Sequence, residues 1–191
     1  MLVQNTAGRV DPNEMGQLTT HYELRLARTA DLARLPAVEM AAAQRFLSSL
    51  HPDAAEGFPI SVALHQTWLA HDGVWIAETA HREIAGFACW VPLAMDMYVV
   101  ELDVHPVHAG NRVGAQLLDA LSTFGGRLGF GRLVLRTFSD VPWNAPYYHR
   151  LGFEALPERE EHPELTSVRH HEASVGLDTA ARSTLYRSIP A

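Results

Sequence analysis

The sequence predicts a mixed α/β (α+β) fold, in which a mostly antiparallel central sheet is covered by helices. Three strand-like runs follow one another at short intervals, at 74–78, 84–91 and 97–104, and this spacing favours an antiparallel meander. An amphipathic helical pattern then begins near Arg112, and a short aliphatic strand, 133–138, follows it. Consecutive strands that later alternate with helices indicate one sheet packed against helices.

The N-terminal part is expected to contain a flexible leader, one strand and one long helix. Residues 1–20 mix Gly, Asn, Pro and Thr without an apolar period, and a single folded domain is expected to span 21–191. Alternation of polar and apolar residues predicts a strand over Tyr22–Ala27. Thr29-Ala30-Asp31 is an N-cap signal for a helix that is expected to reach Leu50.

The remaining elements follow from apolar spacing and from turn residues. A second helix is predicted at about Ser61–Ala70. The third helix carries its apolar residues on one face: Val113, Leu117, Leu121, Phe124 and Leu128. A short helix over Ala145–Leu151 is expected to end at Gly152, which tolerates the left-handed conformation. A further helix at about Pro163–Val175 and a last strand at about 182–189 complete the chain.

Composition excludes several function classes. All 15 formal positive charges are arginine, because the sequence contains no lysine. This absence excludes a Schiff-base lysine, pyridoxal phosphate bound to one, and a phosphate loop that ends in Gly-Lys-Ser/Thr. The net charge of −7 argues against nucleic acid as a partner and favours a small cationic molecule.

Cysteine, histidine and apolar runs indicate no metal site and no membrane segment. The single cysteine, Cys89, excludes an intramolecular disulfide, and its strand-like surroundings predict a core residue. His170-His171-Glu172 places adjacent histidines about 100° apart on a helix, which is poor geometry for chelation and predicts a surface helix. No apolar run reaches about 18 residues and no signal pattern is present, so a cytoplasmic protein is expected.

The most informative segment is 102–118, in which a strand ends before Pro106, a loop of small residues follows, and a helix begins at once. Backbone N–H groups and the positive end of a helix dipole then point at one place, which suits an anion of pyrophosphate size. The alternative is a plain strand-to-helix turn, whose glycines merely permit tight packing.

Two segments resemble the signatures of one enzyme family. One segment resembles the acyl-CoA signature of the GNAT superfamily of N-acyltransferases: Val104-x-Pro106-x-x-x-Gly110-x-x-Val113-Gly114-x-x-Leu117-Leu118. The other resembles the second signature of that superfamily: Asn144-Ala145-Pro146-Tyr147-Tyr148-His149-Arg150-Leu151-Gly152-Phe153. The two segments stand in the family's order, and the resemblance extends from Tyr22 to Ile189.

The resemblance implies acetyl-CoA as cosubstrate, no metal, helices on both faces of the sheet, and a central pair of strands that splay apart. The pantetheine arm would pair with the exposed strand edge in this splay, and the loop N–H groups would bind the pyrophosphate. The implied cofactor-binding residues are Leu102, Asp103, Val104, Ala109, Gly110, Asn111, Arg112, Val113, Gly114, Ala115 and Asn144. Asn144 is also expected to cap the short helix.

Two loop positions depart from the family pattern. Ala109 stands where Gln or Arg is usual, and Arg112 replaces the first of two usual glycines. The Arg112 guanidinium either compensates by binding phosphate, or its Cβ atom crowds the pyrophosphate.

Tyr148 corresponds to the family's proton donor. The alternative interpretation is a core tyrosine without a catalytic role. Tyr147 is less suitable because it lies about 100° around the helix. Glu101 is the candidate general base, although a solvated strand carboxylate would fit the same pattern. His105 and His108 are further candidates for the base.

The acceptor pocket is expected in the irregular region Phe46–Leu69 together with the last strand. Asp53, Glu56 and Trp68 would receive a cation through charge and an aromatic face. A small cationic amine is therefore the expected acceptor, with possible homodimer formation. The alternatives are acetylation of a protein N-terminus or lysine, and a non-catalytic acyl-CoA-binding module.

Overall fold

The computed structural model describes residues 21–57 and 59–190. The predicted leader, 1–20, lies outside the described residues. Seven strands in the described part form one sheet in the order β1-β2-β3-β4-β5-β7-β6. Their bounds are β1 Glu23–Leu26, β2 Val74–Glu78, β3 Ile84–Leu93, β4 Asp96–Val104, β5 Arg132–Phe138, β6 Glu154–Ala155 and β7 Arg182–Ser188. The mixed α/β fold class is thereby confirmed, and the two-residue strand β6 is an addition to the prediction.

β2, β3 and β4 form the predicted antiparallel meander, β1 pairs antiparallel with β2, and β4 and β5 run parallel. This parallel pairing is short, because it joins only Asp96–Tyr98 to Arg132–Val134. Beyond Tyr98, β4 is paired with β3 on one side and diverges from β5 on the other. The expected splayed pair of strands is therefore β4 and β5.

Helices cover both faces of the sheet. Their bounds are α1 Leu35–Ala43, α2 Val62–Leu69, α3 Val113–Leu128, α4 Ala145–Arg150 and α5 Glu164–Ser174. The apolar face of α3 contacts one side of the sheet through Leu117, Leu118 and Leu121, which are fully buried. Each such side chain contributes roughly 1.5–3 kcal/mol on burial. The other side packs against α1, α2 and α5.

The predicted long helix from Thr29 to Leu50 is wrong, because the chain forms three shorter pieces. A 3-10 turn at Thr29–Arg34 precedes α1, and a second 3-10 turn at Gln44–Ser48 follows it. Pro36 provides the physical reason for the first break, since it has no N–H to bond to the carbonyl four residues earlier.

Candidate active site

A bulge in β4 decides which residues face each side of the splay. Cys89 lies opposite Glu101 and Trp90 lies opposite Val99, so Val100 has no residue opposite it on β3. One extra residue shifts the side-chain alternation of a strand by one position. Val100 and Glu101 consequently both face α1, where regular alternation would turn Glu101 towards α3.

Beyond the bulge, the two faces of β4 differ in chemistry. Leu102 and Val104 pack against the apolar cluster under α3. Glu101 and Asp103 lie on the opposite face, beside the buried Cys89 of β3. The splay therefore has an apolar side under α3 and a carboxylate side under α1.

The carboxylate side contains three acidic groups close enough to influence one another. Burial, followed by the charge of Glu39 on α1, raises the pKa of Glu101 to about 7. Burial together with Glu101 and Glu39 raises the pKa of Asp103 well above its usual range. The buried Asp103 Oδ2 atom has no hydrogen-bond partner among the described residues. A proton or a cationic group stabilises such a site, since unpaired buried carboxylates are costly.

Glu39 connects this site to the segment before α2. Both of its carboxylate oxygens accept a hydrogen bond from the Ile60 backbone N–H, at 3.0 Å each. Burial raises the pKa of Glu39 as well. Sequence reasoning missed this residue, although a signal was present: Glu39 lies four residues after the fully buried Leu35, on the stripe that faces the sheet.

Arg182 provides the positive charge at the same end of the sheet. Its guanidinium donates to the buried Glu172 carboxylate at 3.2 Å and to the Arg136 carbonyl at 2.9 Å, and it lies 5.0 Å from the ring centre of Phe138. The charge of Arg182 lowers the pKa of Glu101, against the larger effect of burial. The expectation that His170-His171-Glu172 lies on a helix surface is wrong for Glu172, because this carboxylate is buried between two arginines.

The loop before α3 contains two residues in the left-handed backbone conformation. Gly110 and Arg112 both have positive φ, of 83° and 59°, and α3 begins directly after Arg112. The Asn111 side chain donates to the His108 carbonyl at 3.3 Å, and this bond braces the loop. Ala109 and Arg112 are exposed, while Val113, Gly114 and Ala115 form the buried first turn of α3. The positive φ at this position explains why glycine is usual there, because glycine adopts such a φ without strain.

The two neighbouring tyrosines of α4 point to different parts of the site. Burial, then Tyr147, then the carboxylates of Glu101 and Asp103 raise the pKa of Tyr148, so its hydroxyl remains protonated. The Tyr147 hydroxyl lies over the first turn of α3, since a Cβ atom at Gly114 would be 2.9 Å from it. Tyr148 packs against the apolar cluster under α3, close enough to Glu101 and Asp103 to be affected by their charge, whereas Tyr147 lies over the first turn of α3.

Asn144 occupies the N-cap position of α4, but its side chain makes no capping hydrogen bond, so this expected role is wrong. Its backbone carbonyl instead accepts from the N–H groups of Tyr147 and Tyr148, at 2.8 and 3.1 Å.

Other predicted residues lie elsewhere. Asp53 and Glu56 are exposed on and after a 3-10 turn, and Trp68 packs against the cluster under α1 and α2. His108 contacts Tyr22 at 3.2 Å, and His105 accepts from the Val107 N–H. Cys89 is buried as predicted.

Neither a metal site nor a membrane helix is found in the described ranges. Across 21–57 and 59–190, no three His, Cys, Asp or Glu side chains are grouped to bind a metal ion. Over the same ranges, no helix is long and apolar enough to cross a membrane.

Comparison with known proteins agrees with this geometry. Residues 43–153 match the profile of the acetyltransferase (GNAT) family. N-acetylglutamate synthase from Neisseria gonorrhoeae, solved with coenzyme A and N-acetyl-glutamate, has a TM-score of 0.66 at 17% identity over 89% of this chain. The present chain covers only 35% of that protein's length.

Two smaller proteins share the fold over nearly their whole length. The PaiA N-acetyltransferase from Thermoplasma acidophilum, solved with coenzyme A, has a TM-score of 0.64 and 14% identity, with 87% of this chain and 98% of that chain covered. A ribosomal-protein-alanine N-acetyltransferase from Brucella melitensis has a TM-score of 0.61 and 16% identity, with coverage of 87% and 99%. At such low identity, these likenesses concern the fold alone.

Proposed function

Because the chain belongs to the GNAT family of acetyltransferases, we propose that it transfers an acetyl group from acetyl-CoA to a small cationic amine. The amine attacks the thioester directly, without a covalent enzyme intermediate. The observation that carries this proposal is the splay itself, which has an open β4 edge, two acidic side chains and a protonated phenol at one place.

The residues present fit acyl-CoA. The backbone of Leu102, Asp103 and Val104 lies on the edge that diverges from β5 and has hydrogen-bonding groups for the pantetheine amides. The N–H groups of the loop and of the first turn of α3 would bind the pyrophosphate, with the Arg112 guanidinium beside them. The Asn144 side chain, which makes no capping hydrogen bond, would bind the same ligand through its amide.

Proton transfers during the reaction are assigned to Glu101 and Tyr148. Glu101 accepts the proton of the incoming ammonium, which leaves a neutral nitrogen that attacks the thioester carbon. The C–N bond forms and the C–S bond breaks. Tyr148 gives its proton to the departing thiolate, and the second proton that the nitrogen loses, released through solvent, restores Tyr148. A carboxylate with a pKa of about 7 suits a base at neutral pH.

The proposal of a cationic acceptor rests on the carboxylate side of the splay. Glu39, Glu101 and Asp103 lie there, and an ammonium group would relieve the cost of their burial. The net charge of −7 favours approach of the same kind of molecule.

A peptide is the second candidate acceptor. Met40, Leu47 and Leu50, at the end of α1 and in the turns after it, expose 55%, 54% and 76% of their surface. Exposed apolar side chains over 40–50, which overlaps the expected acceptor region Phe46–Leu69, would suit the side chains of a peptide.

Release of the CoA thiol from acetyl-CoA would test these proposals. The panel includes 1,3-diaminopropane, a neutral-tailed monoamine and short peptides with free N-termini or lysines. We expect the diamine to give the fastest release; preference for peptides would favour the second candidate. CoA binding by calorimetry without release on any amine would instead favour a non-catalytic module.

A further inference from the structure

We propose that Glu39 is a positioning residue for acyl transfer, which ties the segment before α2 to α1 and places a negative charge behind Glu101. This inference rests on the proposed function, because it assigns Glu39 an effect on the base of that reaction. Glu39 itself is not placed in contact with the reacting atoms.

The geometry of Glu39 is that of an anchor between two elements. Its two oxygens share the Ile60 N–H, and Ile60 directly precedes Ser61, whose side chain accepts the Leu64 N–H and caps α2. One carboxylate therefore fixes where α2 begins relative to α1. Ile60, which lies in the expected acceptor region Phe46–Leu69, cannot move away from α1 without losing this bond.

A half-buried carboxylate is a costly way to hold a single backbone N–H. A neutral glutamine would accept the same hydrogen bond, so the anchor alone does not require a charge. The charge has its effect elsewhere: Glu39 is the largest electrostatic contribution to the raised pKa of Glu101, and it also raises the pKa of Asp103.

Several charged or titratable groups face Glu101 from the elements packed around it. Asp103 lies on β4, Glu39 on α1, Arg182 at the start of β7, Cys89 opposite on β3, and Tyr148 on α4. Arg182 lowers the pKa of Glu101 and Glu39 raises it. Burial raises the pKa of the Cys89 thiol and of the Tyr148 phenol, so both groups stay neutral at neutral pH.

Two variants separate the anchor from the charge. Glu39→Gln keeps an oxygen for the Ile60 N–H and removes the charge, whereas Glu39→Asp keeps the charge and shortens the reach. Glu158→Gln is the matched control, because it removes the same charge from an exposed 3-10 turn. Glu101→Gln identifies the Glu101 signal in carboxyl ¹³C NMR of the free full-length protein.

In Glu39→Gln we expect the titration midpoint of Glu101 to fall by about half a pH unit or more, with unchanged hydrogen exchange at the Ile60 amide. Glu39→Asp should retain the midpoint and exchange faster at Ile60. Glu158→Gln should change neither the Glu101 midpoint nor the hydrogen exchange at Ile60. An unchanged Glu101 midpoint in Glu39→Gln would overturn the inference. Unchanged hydrogen exchange at Ile60 in Glu39→Asp would also overturn it, and this second result is the deciding one if Glu39→Gln does not fold.

Failure of the proposed function gives a different result. The acid limb of kcat/KM, measured with acetyl-CoA and 1,3-diaminopropane, should move with the Glu101 midpoint in Glu39→Gln. If the NMR midpoint moves while the acid limb stays, or if Glu101→Gln retains full turnover, the role of Glu101 as base is overturned rather than the effect of Glu39 upon it.

Discussion

At the scale of single residues, two groups with raised pKa values face the same splay. Tyr148 retains its proton because burial and the nearby carboxylates disfavour a phenolate. Glu101 retains its proton up to a pH of about 7 for similar reasons. In the proposed reaction, Tyr148 would donate a hydrogen bond to the leaving thiolate and Glu101 would be the base.

Replacement of Tyr148 tests the donor. Tyr148→Phe should lower kcat by about a hundredfold and leave the Kd of CoA nearly unchanged, because only the leaving group loses a proton donor. Tyr147→Phe should retain most of kcat, since that hydroxyl lies over the first turn of α3. Steady-state thiol release and calorimetry measure both quantities, and equal kcat values for Tyr148→Phe and the parent protein would remove Tyr148 from the mechanism.

The raised pKa of Glu101 also predicts how stability depends on pH. Between the ordinary carboxyl value of 4.5 and about 7, the unfolded chain loses this proton while the folded chain keeps it, so the free energy of unfolding falls as pH rises. Glu101→Gln removes this pH-dependent decrease in the free energy of unfolding.

Urea unfolding at two pH values measures the effect. We expect Glu101→Gln to be more stable than the parent protein at pH 8, by up to about 3 kcal/mol, and nearly equal to it at pH 4. Glu158→Gln provides the control. The same stability difference at both pH values would contradict the raised pKa.

At the scale of elements, the bulge in β4 and the loop before α3 make the site. The bulge lets Val100 and Glu101 both face α1, and the loop contains two residues with positive φ. Each is a local departure from regular geometry, and each has a consequence that can be measured.

Deletion of Val100 removes the bulge. Glu101 then directly follows Val99, which faces α3, so it should still face α1 and the protein should keep acetyl transfer, while loss of the Val100 side chain lowers the urea concentration of unfolding. Val100→Ala keeps the bulge and should retain transfer. Loss of acetyl transfer in the deletion variant, with transfer retained in Val100→Ala, would contradict this orientation of Glu101.

Substitution at Arg112 separates backbone strain from phosphate binding. Arg112→Gly should raise the free energy of unfolding by about 1 kcal/mol, because φ is 59° there, and should weaken CoA binding because the guanidinium is lost. Arg112→Ala should weaken CoA binding equally without the gain in stability. CoA binding that strengthens in both variants would instead indicate that Arg112 crowds the phosphate.

At the scale of the whole molecule, one sheet brings distant parts of the chain to the splay. Glu39 comes from α1, Glu101 from β4, Tyr148 from α4 and Arg182 from β7. Arg182 is held by Glu172 of α5, which also binds the buried Arg136 at 2.9 Å. Elements far apart in sequence therefore determine the charge around one carboxylate.

Much of this arrangement could be predicted from sequence, because its signals are local. The meander, the third helix and the loop before it follow from periodicity and from residues such as Pro106 and Gly110. The roles of Glu39 and Arg182 could not be predicted in that way, because they depend on contacts between distant elements. The break in the predicted helix from Thr29 to Leu50 could have been predicted from Pro36, because proline has no N–H for a helical hydrogen bond.

The most direct test follows backbone amides of the full chain by NMR while CoA and then 1,3-diaminopropane are added. We predict that CoA shifts the amides of 99–104 and 110–115, on the β4 edge and at the start of α3. The diamine should then shift residues around Glu39, Glu101 and Asp103. Shifts confined to other surfaces, or no shifts with CoA, would contradict the assignment of acyl transfer to the splay.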